Sequence, residues 1–164
     1  MDRIDSPPRA LPQSTARIAG HPVHPMLVPF PIAFLVGALL TDIAYLHWGS
    51  PSWAEASRWL IAAGVVAALL AALAGFTDFL GNPRIRQLRP AWYHMFGNLT
   101  AVVLSIVNFL VRRDDAAAAI NPTGLSLSAI VVLLLLFNGW MGGELVFRHG
   151  VAVRLKDEEP RVEV

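Results

Sequence analysis

The 164-residue sequence contains no cysteine. Disulfides, thiolate metal sites, iron–sulfur ligation and a cysteine nucleophile are thereby excluded. Charge is also scarce. Asp, Glu, Lys and Arg make up 15% of the chain, against about 25% in soluble domains. The net charge of +1 gives no basic surface with which to bind nucleic acid. Gly-x-Ser-x-Gly, His-Glu-x-x-His and a phosphate-cradling glycine loop are missing too. A hydrolytic enzyme is therefore not indicated, and no catalytic residue is assigned. The opening residues lack the apolar stretch of a signal peptide and carry Pro7, Pro8 and Pro12. Residues 1–20 are expected to be a polar, solvated tail, and residues 154–164 a second, charged one.

What the sequence does hold is apolar length. Hydrophobic residues reach 55%, and they gather in four runs at about residues 26–46, 60–80, 91–111 and 125–147. Each run holds at most one acid and no Lys or Arg. About 21 residues at ~1.5 Å per residue cover the ~30 Å hydrocarbon layer. Backbone polar groups in lipid must satisfy one another, so the runs must be helices. The connections at 48–59, 81–90 and 112–124 are short, which makes neighbouring helices antiparallel. The expected fold is all-α: an integral-membrane up-down-up-down four-helix bundle over residues 21–153, with the lipid bilayer as its medium.

Orientation follows from the basic residues. Arg3, Arg9, Arg17, Arg84, Arg86, Arg89, Arg148, Arg154, Lys156 and Arg161 lie on the side of the termini; Arg58, Arg112 and Arg113 lie opposite. That bias is expected to place both termini in the cytoplasm. Trp48, Trp53, Trp59, Trp92 and Tyr93 fall at span ends, where amphipathic rings settle.

Each helix carries small or polar residues at helical spacing. The stripes are Ala33, Gly37, Thr41 and Ala44; Gly64, Ala68, Ala71, Gly75 and Asp78; His94, Asn98, Ala101, Ser105 and Asn108; and Gly139, Gly142, Val146 and Gly150. Close backbone contact and interhelical hydrogen bonds hold bundles together in lipid, so these stripes are expected to face inward, with Asn98 and Asn108 bonding between helices.

The antiparallel order collects His21, His24, Asp78, His94, Asn98, Glu144 and His149 at one end. In His21-Pro22-Val23-His24-Pro25 each proline pushes the preceding residue toward extended backbone. A polyproline II repeat of three would point both imidazoles the same way. His24, His94 and His149 are candidate haem or metal ligands; His21, His24, Asp78 and His94 are a candidate metal set. The plainer reading makes the same histidines interfacial or hydrogen-bonded to neighbouring helices. Asn98 supports His94 one turn on. Asp42, Asp78 and Glu144 all lie near the C-terminal end of their helices, the unfavourable end for an anion. Glu144 pairs with Arg148 at i+4. Asp78 is expected to meet Arg84, Arg86, His24 or His94. Asp42 has no partner that spacing can name. His47, beside Trp48, reads as interfacial.

Several segments carry a family resemblance. They are Gly20-His-Pro-Val-His-Pro25 with Pro29 and Pro31, Leu40-Thr-Asp42, Gly75-Phe-Thr-Asp78, His94-Met-Phe-Gly-Asn98, Gly139-Trp-Met-Gly-Gly-Glu-Leu-Val146 and His149-Gly150-Val151. Over about residues 20–153 the chain resembles an uncharacterised bacterial family of predicted four-helix inner-membrane proteins, a domain of unknown function. The resemblance implies membrane location and fold, and no reaction. Relatives fused to Rieske-type or cytochrome-like domains imply a redox neighbourhood.

Three functions follow as expectations. The first is a non-catalytic membrane subunit or scaffold whose His/Asp cluster binds a divalent metal or a partner protein. The second is an electron-transfer module holding b-type haem between histidines. The third is a proton or ion relay through Asp78, His94 and Asn98. A redox or membrane partner and a homo-oligomer are the candidate assemblies.

Overall fold

The computed structural model describes residues 11–153. The tail expected at 154–164 and the first half of the tail expected at 1–20 lie outside those residues. Two short strands, β1 (Arg17–Ile18) and β2 (His21–Pro22), pair antiparallel, with Arg17 opposite Pro22 and Ile18 opposite His21. The helices are α1 (Val23–Leu27), α2 (Pro29–Trp48), α3 (Pro51–Gly81), α4 (Pro83–Arg86), α5 (Arg89–Val111), α6 (Ala116–Ala119) and α7 (Leu125–Gly143). A kink precedes α7 at Asn121, whose φ of −108° and ψ of 122° are extended, and a wider π turn at Glu144–Arg148 follows it. These elements build four helices long and apolar enough to cross a membrane: Val23–Trp48, Pro51–Gly81, Arg89–Val111 and Ala116–Arg148.

Local chemistry sets the boundaries. Proline occupies the first turn of α2, α3, α4 and α5, where its missing N–H would have no helical acceptor anyway. Gly49 adopts φ +69° and donates its N–H to the Tyr45 carbonyl at 2.8 Å, closing the first span. The connection expected at 48–59 therefore shrinks to Gly49 and Ser50, because Pro51 starts the next helix at once. Asn82 caps α4 by accepting from the Arg84 N–H, and Asp115 caps α6 by accepting from the Ala118 N–H.

The four spans form a ring: first on second, second on third, third on fourth, fourth on first. The second and third stripes face inward as expected, with Gly64, Ala71, Ala101, Ser105 and Asn108 buried. The first and fourth stripes need correction. On the first span the buried positions are Pro31, Leu35, Ala38, Asp42 and Ala44, whereas Ala33 is exposed. On α7 they are Ser128, Val131 and Asn138. Gly139 is exposed, with nothing near its Cα side, and Val146 is exposed as well. Small size permits close packing but does not set the helix phase, and in the first and fourth spans the polar residues set it.

Residues 11–17, expected within the solvated tail, are instead held against the bundle. The Pro12 carbonyl accepts from the Ala152 N–H, and Gln13 Nε2 donates to the Val153 carbonyl. Asn82 Nδ2 donates to the Gln13 carbonyl. The segment forms a strap from the end of the fourth span to the end of the second. The His-Pro segment also departs from polyproline II: His21-Pro22 is strand and Val23–Leu27 is helix. His21 stays exposed, its Nδ1 3.0 Å from the Ala19 carbonyl, while His24 turns into the bundle. Pairing within the strap competes successfully with the extended repeat.

Outside the bundle the surface is apolar. Leu69, Leu70, Leu73, Leu133, Leu136 and Phe147 are exposed, Phe147 at 89%, a surface suited to lipid rather than water. Gly64→Val should lower the unfolding midpoint in detergent, because even one added carbon would stand 2.8 Å from the Leu35 side chain. Overpacking of this kind costs about 1–3 kcal/mol. Gly139→Ala should leave the midpoint unchanged.

Candidate functional site

Polar chemistry gathers in two centres at opposite ends of the spans. The first joins all four. The carboxylate of Asp42, near the end of the first span, receives both terminal nitrogens of Arg112, Nη1 on Oδ1 at 2.5 Å and Nη2 on Oδ2 at 2.7 Å. Ser57 of the second span donates to Asp42 Oδ1 at 2.6 Å. Ser128 of the fourth donates to Oδ2 at 2.7 Å. Arg112 Nε donates to Asn108 Oδ1 on the third span, and Asn108 Nδ2 donates to Ser128 Oγ. Asp42 and Arg112 are both 0% exposed. Asp42 thus has the partner that spacing alone did not name, seventy positions away. Arg112 is not a solvated loop cation but a core residue.

The second centre holds the histidines. His24 Nδ1 lies 2.8 Å from the Ala71 carbonyl of the second span. His94 Nδ1 lies 3.0 Å from the Asn138 carbonyl of the fourth. A carbonyl can only accept, so each ring carries a proton on Nδ1, and the neutral form of either ring has its lone pair on Nε2. The two rings meet edge to face, with centroids 6.0 Å apart. Glycines seat them: an added Cβ would stand 2.9 Å from His24 Nδ1 at Gly75 and 3.3 Å from His94 Cε1 at Gly142.

The other expected members stand apart from this pair. Asp78 does not meet Arg84, Arg86, His24 or His94. Its Oδ1 accepts from Ser14 Oγ at 2.8 Å and from the Thr15 and Ala16 N–H groups at 2.7 Å each, so it anchors the strap. Glu144 pairs with Arg148 at 3.3 Å, and Arg148 is largely in solvent. His149 follows the last π turn, its N–H bonded to the Glu144 carbonyl, and no contact joins its ring to His24 or His94. Asn98 Nδ2 donates to the His94 carbonyl of its own helix rather than between helices, whereas Asn108 does bridge to Ser128. His47 is exposed and edge-on to Trp48. Among the described residues no group of three or more His, Cys, Asp or Glu could hold a metal ion. An apolar groove of about 510 Å³ lies elsewhere, on the outer side of the first two spans, lined by Leu27, Phe34, Trp59 and Leu70.

Residues beyond the sequence reading complete both centres. Arg112, Ser57 and Ser128 serve the first, and Asn138 serves the second. The signal for Arg112 was present: it continues the stripe His94, Asn98, Ala101, Ser105, Asn108 by one further step of four. Removing one partner of a buried pair strands the other charge, at a cost of about 3–5 kcal/mol. Asp42→Ala should therefore lower unfolding stability by that order in detergent. Asp42→Leu with Arg112→Leu should recover most of it. Asp78→Ala should release the strap, which limited trypsin digestion at Arg17 would report as much faster cleavage.

No curated protein and no solved structure matches the chain. A family model does, over residues 20–155. That stretch takes in all four apolar helices and both polar centres, and the chain accordingly belongs to the DUF2231 family of predicted membrane proteins, a domain of unknown function.

Proposed function

We propose that this protein is a multi-pass subunit of the bacterial inner membrane. In this reading it is an up-down-up-down bundle with both termini cytoplasmic, non-catalytic itself, whose His24–His94 pair holds a metal ion or the iron of a b-type haem. The observation that carries the proposal is the tying of both imidazole Nδ1 atoms to backbone carbonyls of other helices. This is the outer-shell arrangement that orients a ligating histidine and leaves Nε2 for a metal. Two nitrogens each ~2.0–2.1 Å from one ion are compatible with ring centroids 6.0 Å apart.

His24 and His94 would be the two protein ligands of a haem iron, whereas a zinc would ask for three or four. Such an iron would supply one-electron transfer to a redox partner in the membrane. The burial of Arg112 leaves Arg58 and Arg113 as the solvent-side cations opposite the termini, which supports the proposed orientation. A transmembrane relay is less favoured. Leu35, Ile61, Ala101 and Val131 are buried on the four spans, between the two polar centres along each helix.

Purified in mild detergent after haem-supplemented expression, the protein should show a dithionite-sensitive visible spectrum or a stoichiometric metal. Either signal should fall severalfold in His24→Ala and His94→Ala. A colourless, metal-free preparation would overturn the assignment. Orientation is tested separately with an impermeant maleimide on intact cells, since the chain has no cysteine of its own. Thr123→Cys should label, and Gln87→Cys only after lysis.

A further inference from the structure

The second centre holds a polar group that the two imidazoles leave unused. Asn138 is 2% exposed, and neither its Nδ2 nor its Oδ1 has a hydrogen-bond partner in the protein. Its carboxamide lies against the backbone of Gly97, where that residue's Cβ would stand, so any larger residue there would expel it. Asn138 sits well inside the fourth span, ten positions before its end at Arg148. Its carbonyl orders His94, and Gly97 is less than one turn from His94.

An unbonded donor or acceptor in an apolar interior costs about 1–3 kcal/mol, and a leucine of similar size would avoid the cost. The other buried asparagine, Asn108, shows the normal solution, because both ends of its amide are bonded. Arg17 Nε is likewise unbonded, but it belongs to the strap, where the same side chain reaches Gln13.

We infer that the Asn138 carboxamide and the imidazole pair form a binding site for internal water. The carboxamide supplies a donor and an acceptor, and in the unliganded pair a neutral imidazole's Nε2 supplies a further acceptor, about the three bonds that buried water usually makes. Water held there brings a proton-exchange partner to the imidazole pair. The inference deepens the reading of the same site but needs no metal.

Water-edited solid-state NMR on the full chain in lipid bilayers tests it, with nitrogen-labelled asparagine and histidine. Magnetisation should pass from water to the Asn138 side-chain amide severalfold faster than to that of Asn108, which serves as the dry, bonded control within the same molecule. In Asn138→Leu the transfer from water to the His94 ring should fall severalfold. Equal transfer to Asn138 and Asn108 would overturn the inference, and so would an unchanged His94 transfer in the variant. The wild-type comparison stands even if the variant folds poorly. A preparation without metal or haem bears on the proposed function alone, because this readout requires neither.

Discussion

One ion pair ties the bundle together. Between apolar helices lipid provides no hydrophobic drive, since lipid tails are as apolar as leucine. Some directional interaction must therefore select one arrangement of four helices whose outward faces resemble each other. Asp42 and Arg112 supply it. Their charges lie fully buried, and such a pair is tolerated only when every donor and acceptor finds a partner. Ser57 and Ser128 complete the carboxylate and Asn108 completes the guanidinium. The five residues come from all four spans. Sliding any helix by one turn would leave a charge or hydroxyl unpaired in an apolar medium, so the network specifies register in a way that the leucine faces cannot.

The register set at that end positions the other. With the four helices fixed against one another, Ala71 and Asn138 present their carbonyls where His24 and His94 arrive. The glycines that seat the imidazoles, Gly75 and Gly142, fall opposite the rings. The strap adds a second constraint at this end. Asp78 holds Ser14, Thr15 and Ala16, and the chain runs from there through the β1–β2 pair directly into His24. A carboxylate at the negative end of a helix is poorly placed. Here two backbone N–H groups and two hydroxyls of the strap offset that disadvantage.

Much of the architecture was legible in the residues, because hydrocarbon thickness imposes a length and a composition that few other constraints imitate. The four spans, the Glu144–Arg148 pair, the bridging role of Asn108 and the placing of His24 with His94 follow from spacing and helix order. What could not be read shares one cause. Partners distant in sequence decide the phase of a helix, and periodicity registers only the helix's own residues. Gly139 looked like an inward residue because it is small, yet Ser128 and Asn138 set the phase of α7. Arg112 looked like a loop cation because it follows an apolar run. Asp78 looked like part of a metal set because the strap that claims it read as a polar tail.

The two centres also differ in how completely they are satisfied, and that difference separates scaffold from site. Every polar atom of the Asp42–Arg112 centre has its partner, and its hydrogen bonds close on one another. Nothing there is left to bind. At the other end two imidazole nitrogens and one carboxamide keep unused bonding capacity, beside a strap that Asp78 holds in place. An apolar residue at position 138 would relieve the cost of the buried amide. The framework itself would lose nothing, since the carbonyl that orders His94 belongs to the backbone. A side chain that the fold does not need, lying against Gly97 less than one turn from His94, is explained by what it binds rather than by what it supports.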